Sequence, residues 1–112
     1  MTIDPSVPIN YLDAGLSVLP AIRERKHPAV GSWKAYQDRL PSEEEIEAWF
    51  SNKQNALCLV CGTISGNLEV IDFDNGGELF EKWKSQVPEK LFARMVVERT
   101  PSGGYHVAYR CE

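Results

Sequence analysis

Apolar residues along this chain recur at two spacings, and each spacing predicts a type of element. Ile9 and Leu12 lie about one helical turn apart between Asp4-Pro5 and Gly15, which predicts a short helix opened by proline and stopped by glycine. Leu16-Ser17-Val18-Leu19-Pro20 predicts a first strand, and the base-containing stretch from Ala21 to Leu40, with Pro28 and Gly31, predicts a long loop region. Pro41-Ser42-Glu43-Glu44-Glu45 has the form of a capping box, Ser42 facing Glu45, and Ile46, Trp49 and Phe50 follow at helical spacing.

The second half repeats the alternation. Ala56–Gly62 and Leu68–Asp74 read as apolar strands, and the short link Thr63-Ile64-Ser65-Gly66-Asn67 predicts that they pair as a hairpin. Asn75-Gly76-Gly77 opens a predicted helix with a stripe of Leu79, Phe80, Trp83 and Val87, ended by Pro88. Met95–Thr100 and Tyr105–Arg110 are again strand-like, joined by Pro101-Ser102-Gly103-Gly104. With no internal repeat, the pattern predicts an α+β fold: one domain over residues 1–112, an antiparallel or mixed sheet with helices packed on it.

Composition narrows the class. With 112 residues and 43% hydrophobic content the chain can bury an ordinary core, which argues against disorder. No apolar run approaches eighteen residues and the first thirty lack a signal-peptide pattern, so a soluble cytoplasmic protein is expected. The net charge of −4 would disfavour nucleic-acid binding if it were evenly spread. It is not: residues 41–90 hold ten acids against four bases, whereas residues 1–40 hold four against five and residues 91–112 two against three. Glu43, Glu44, Glu45 and Glu47 crowd one helix start, where they complement the helix dipole. Phosphate binding is neither implied nor excluded.

Three cysteines, Cys58, Cys61 and Cys111, form an odd set that favours reduced thiols. Cys58 and Cys61 make a C-x-x-C, but in a strand residues three apart face opposite sides, so packing as buried thiols is preferred over zinc.

Two constellations carry candidate chemistry. In Val70-Ile71-Asp72-Phe73-Asp74 the alternation puts Asp72 and Asp74 on one face, roughly 6.6 Å apart along the strand, a spacing that lets two carboxylates converge on divalent cations. The spacing alone leaves open a pair of solvated loop acids, or Asp74 and Asn75 as helix caps. In Thr100-Pro101-Ser102-Gly103-Gly104-Tyr105-His106 the paired glycines after a serine could present backbone N–H groups to phosphate oxygens, or could form an ordinary hairpin turn. A four-residue connection would pair Thr100 with Tyr105 and set Arg99 across from His106.

Taken together these motifs resemble those of the archaeo-eukaryotic primase superfamily, specifically the N-terminal bifunctional primase-polymerase domain of plasmid, phage and prophage replication proteins. Tyr11, Gly15, Val18 and Pro20, then Lys26-x-Pro28 and Trp33, then Ile46 and Trp49 fall in the family's order. Asn55 and Gly62-x-x-Ser65-Gly66-Asn67 lead into the D-x-D, which resembles the first catalytic motif, and Thr100 to His106 resembles the second. No Asp follows Asp74, so the family's third metal-binding Asp is absent from these residues, and the chain is expected to be the N-terminal portion of a catalytic domain.

The resemblance implies template-directed nucleotidyl transfer during the initiation of DNA replication. Asp72 and Asp74 would hold Mg²⁺ or Mn²⁺. His106 would contact the triphosphate, with Ser102, Gly103 and Gly104 assisting and Arg99 and Lys26 adding positive charge. The implied partners are nucleoside triphosphates, a single-stranded DNA template and a helicase module, with no membrane. The portion alone is expected to show little or no polymerase activity.

Two rival readings remain: a non-catalytic remnant that binds nucleotide, metal or protein within a replication protein, and a metal-dependent nuclease or phosphohydrolase, for which His27 would be a further ligand. Among the aromatics, Trp49 and Trp83 read as core. Trp33 and Tyr36 lie in the basic loop, where anchoring is preferred over nucleic-acid contact.

Overall fold

The computed structural model describes residues 2–24, 27–51 and 54–111. The chain divides into two compact units, Met1–Asn67 and Leu68–Glu112, each with its own three-stranded antiparallel sheet. The α+β class expected from the alternating spacings is the one observed.

In the first unit α1 (Ser6–Asp13) stops as the glycine predicts. Gly15 has φ +83°, its N–H donates to the Leu12 carbonyl, and the Leu16 N–H reaches back to Tyr11, the paired bonds of a Schellman stop. β1 (Ser17–Ile22) is central, between β2 (His27–Pro28) and β3 (Leu57–Val60), with Ser17 opposite Val60 and Pro20 opposite Leu57. Ser17 through Ala21 are all buried, so both faces of β1 are covered. Val18 packs with Ile46 and Phe50, and Leu19 with Tyr36 and Val60.

α2 (Glu43–Phe50) carries the predicted capping box in full: the Glu45 N–H donates to Ser42 Oγ at 3.1 Å and the Ser42 N–H to Glu45 Oε1 at 3.0 Å. The same carboxylate accepts hydrogen bonds from both terminal nitrogens of the Arg39 guanidinium, at 2.8 and 3.1 Å, and from the Tyr36 hydroxyl at 2.5 Å. Tyr36 is buried and meets Trp49 edge-on at 5.4 Å. The stretch 21–40 is therefore more structured than its composition suggested. β1 runs on to Ile22, the chain returns as β2, and a 3-10 turn at Lys34–Gln37 delivers Tyr36 to the core.

The expected hairpin between the third and fourth strands does not form. β3 pairs with β1, and β4 (Leu68–Phe73) pairs with β6 (Tyr105–Arg110) in the second unit. The link explains the departure. It winds into a 3-10 turn at Thr63–Ser65, and its buried Ser65 hydroxyl donates to the Val60 carbonyl at 2.6 Å and accepts the Ser17 N–H at 2.9 Å. These bonds tie the link to the end of the first sheet, so it cannot close a reversal between its flanking strands.

In the second unit the order is β4-β6-β5, with β5 spanning Val96–Arg99. Two short helices, α3 (Phe80–Gln86) and α4 (Glu89–Phe92), flank Pro88. Phe80 and Trp83 pack as predicted, but Leu79 precedes the helix and is 62% exposed, and Val87 is extended beyond its end. The covered face is aromatic: Phe73 meets Phe80 and Trp83 at 5.5 and 5.2 Å, and Tyr105 stacks on Phe80 at 4.1 Å.

Candidate active site

Strand alternation in β4 sends Ile71 and Phe73 to the aromatic face and Val70 and Asp72 to the other. The ladder places Asp72 directly opposite His106, and His106 Nε2 lies 3.3 Å from Asp72 Oδ1. Both side chains are about half exposed. Asp74 sits one residue beyond the strand with its backbone still extended (φ −88°, ψ −169°), so the alternation carries it toward the Asp72 face, and it too is exposed.

Glycine packing holds the two motif loops together. A Cβ on Gly77, whose φ is +74°, would stand 2.6 Å from the Tyr105 ring, and a Cβ on Gly104 would stand 2.1 Å from the Phe73 carbonyl oxygen. Only a residue without a Cβ lets the strand leading to His106 lie this close to the end of β4. The segments around Asp74 and Ser102 are therefore neighbours, as their joint reading in the sequence required.

The turn differs from expectation by one residue. The Thr100 N–H donates to the Gly104 carbonyl and the Gly103 N–H to the Thr100 carbonyl, both at 2.9 Å, so the loop is the three residues Pro101-Ser102-Gly103 with Gly103 at φ +91°. Arg99 consequently lies opposite Tyr105, not His106, and its guanidinium sits 5.1 Å from the Tyr105 ring centre. That is the face opposite to His106, and the expected pairing of guanidinium with imidazole is not made. The residue opposite His106 on β5 is Glu98, which the sequence reading passed over. Counting the register from a three-residue loop would have found it.

The glycine amides also have other work than the one expected of them. The Gly104 N–H donates to Thr100 Oγ1 at 2.9 Å, and with Gly103 committed to the Thr100 carbonyl, both are used within the turn. Ser102 is exposed, its Oγ 3.2 Å from Thr100 Oγ1. Lys26 lies outside the described residues. Among the described residues no group of three or more His, Cys, Asp or Glu side chains is arranged to hold a metal ion.

The other candidates fall elsewhere. Cys58, Cys61 and Cys111 are not joined in disulfides. Cys58 is half-buried on β3, which pushes its thiol pKa up, whereas Cys61 and Cys111 are exposed rather than buried. Tyr36 is a core anchor and Trp33 is partly exposed. No described helix is long and apolar enough to cross a membrane.

No curated protein matches the sequence. The family model described as bifunctional DNA primase/polymerase, N-terminal, matches residues 8–111, a span that runs from within α1 to the end of β6 and includes both motif loops. The chain belongs to the bifunctional DNA primase/polymerase N-terminal family.

Proposed function

We propose that the exposed face of the second sheet is a metal-nucleotide site, and that the chain serves template-directed nucleotidyl transfer in replication initiation. The observation that carries this reading is the opposition of Asp72 and His106 on an exposed face, with Asp74 two residues on. Two carboxylates are hard oxygen donors, the kind that Mg²⁺ and Mn²⁺ take, and their exposure leaves room for the water and phosphate oxygens that complete such a sphere. Asp72 and Asp74 would hold the ion, which supplies positive charge to the phosphates and lowers the pKa of the attacking 3′-hydroxyl.

The chain's own groups bind and orient. His106 donates to the triphosphate while its contact with Asp72 fixes the ring beside the metal ligands. Ser102 offers a hydroxyl from the neighbouring turn. Gly103 and Gly104 act through shape, since their amides are spent on Thr100. Arg99 supports the site from behind by covering Tyr105. Nucleoside triphosphates and single-stranded DNA are the substrates in this reading, and a helicase module is the expected neighbour in a replication protein.

Two carboxylates hold a metal pair less firmly than three, so binding is the informative readout for these 112 residues. In calorimetric titration with Mn²⁺ and a nucleoside triphosphate, wild type should bind and Asp74→Asn and His106→Ala should each weaken binding. Equal binding by all three proteins would remove these residues from the site.

A further inference from the structure

Two neighbouring rows on the face of the second sheet that carries Asp72 differ in character. The first is polar: Asp72 on β4, His106 on β6 and Glu98 on β5 are ladder partners in sequence across the sheet. The second lies two residues further along each strand and is apolar: Val70, Ala108 and Val96 are likewise successive partners. Val70 is 42% exposed and Val96 59% exposed, although both stand in paired strands.

We infer that the Val70–Ala108–Val96 row is the seat of the nucleoside portion of the substrate. This rests on the proposal above that the triphosphate binds at Asp72 and His106. The rows are separated by roughly 6.6 Å, two residues along a strand, which is the scale on which a nucleotide's sugar follows its phosphates. Small, flat side chains let a sugar or base ring lie directly on the sheet, and apolar surface next to a charged row is the composition expected of a ligand that is anionic at one end only. Glu98 orients it. A carboxylate repels phosphate but accepts hydrogen bonds from hydroxyl or amino groups, so Glu98 keeps the phosphates at the Asp72 end of the polar row and leaves the β5 end to polar groups of the nucleoside seated on the adjacent row.

The test compares two ligands on the 112-residue protein in Mg²⁺: adenosine triphosphate, and inorganic tripolyphosphate, which lacks the nucleoside. Wild type should bind adenosine triphosphate about tenfold more tightly, and Val70→Gln/Val96→Gln should lose that advantage while keeping its affinity for tripolyphosphate. Retained tripolyphosphate binding is also the check that the variant is folded. In the wild type, the methyl resonances of Val70, Ala108 and Val96 should move with adenosine triphosphate and stay still with tripolyphosphate, a result independent of any substitution. Equal affinity of wild type for the two ligands, or unmoved methyls, would overturn the nucleoside seat and leave the triphosphate site standing. Binding of tripolyphosphate that Asp72→Asn does not weaken would overturn the triphosphate site, and this inference with it.

Discussion

His106 Nε2 stands 3.3 Å from Asp72 Oδ1 because the two residues are opposed partners in the β4–β6 ladder. The contact is therefore a property of register. A slip of one residue would turn His106 to the aromatic face and Tyr105 outward, separating the pair without altering any side chain. The register is in turn held by Gly104, which lets its strand approach the Phe73 carbonyl, and by Tyr105 stacked on Phe80.

Because the pair is exposed, it contributes little to folding. Asp72→Asn and His106→Ala should each change unfolding free energy by less than about 0.5 kcal/mol, while weakening metal-nucleotide binding. Denaturant titration beside calorimetry separates the two effects. A large stability loss would assign the pair a structural role instead.

Gly104→Ala should be far more costly than Gly76→Ala. The new Cβ at position 104 meets a backbone carbonyl at 2.1 Å, which cannot step aside without disturbing the ladder, and a loss of about 3 kcal/mol is expected. At Gly76 nothing lies within 4 Å and the cost is that of φ +71° alone, about 1 kcal/mol. Urea midpoints for the two variants give the comparison.

Glu45 predicts the shape of the acid limb of stability. The Arg39 guanidinium, helped by the Tyr36 hydroxyl and the Ser42 amide and opposed by partial burial, holds its carboxyl at about 2, against an ordinary value of 4.5. The unfolded chain takes up this proton more readily than the folded one. The stabilisation from Glu45 is thus complete above pH 4.5 and is lost as the pH falls toward 2. Glu45→Gln should flatten that part of the curve of midpoint against pH, and an unchanged slope would show that other groups set it.

Ser65→Ala should destabilise by about 2 kcal/mol, since it leaves the buried Ser17 N–H and Val60 carbonyl without the hydroxyl that joins them. Ser65→Thr retains the hydroxyl but adds a methyl at a fully buried position, so it should not restore full stability. Thermal melts of both variants test the tie between the link and β1.

Much of this architecture was legible locally. The capping box at Ser42, the glycine stop at Gly15, the strand ending at the D-x-D and the strand before His106 each follow from a few adjacent residues, and each is present. What misled was pairing. Two apolar strands joined by a short Gly-Asn link look like a hairpin, and only the burial of Ser65 against Ser17 shows why this link is not one. The β5–β6 turn misled by a single residue, which was enough to exchange Arg99 for Glu98 opposite His106.

The sequence by itself determined the α+β class and most of the strands and helices, and it singled out Asp72, Asp74 and His106 as candidates, because those readings depend on short-range spacing and on side-chain chemistry. The tertiary structure decided which strands are partners, which face each residue occupies and what the glycines are for. Those depend on hydrogen bonds and close approaches between residues far apart in the chain, such as Gly104 against the Phe73 carbonyl, and no local pattern encodes them.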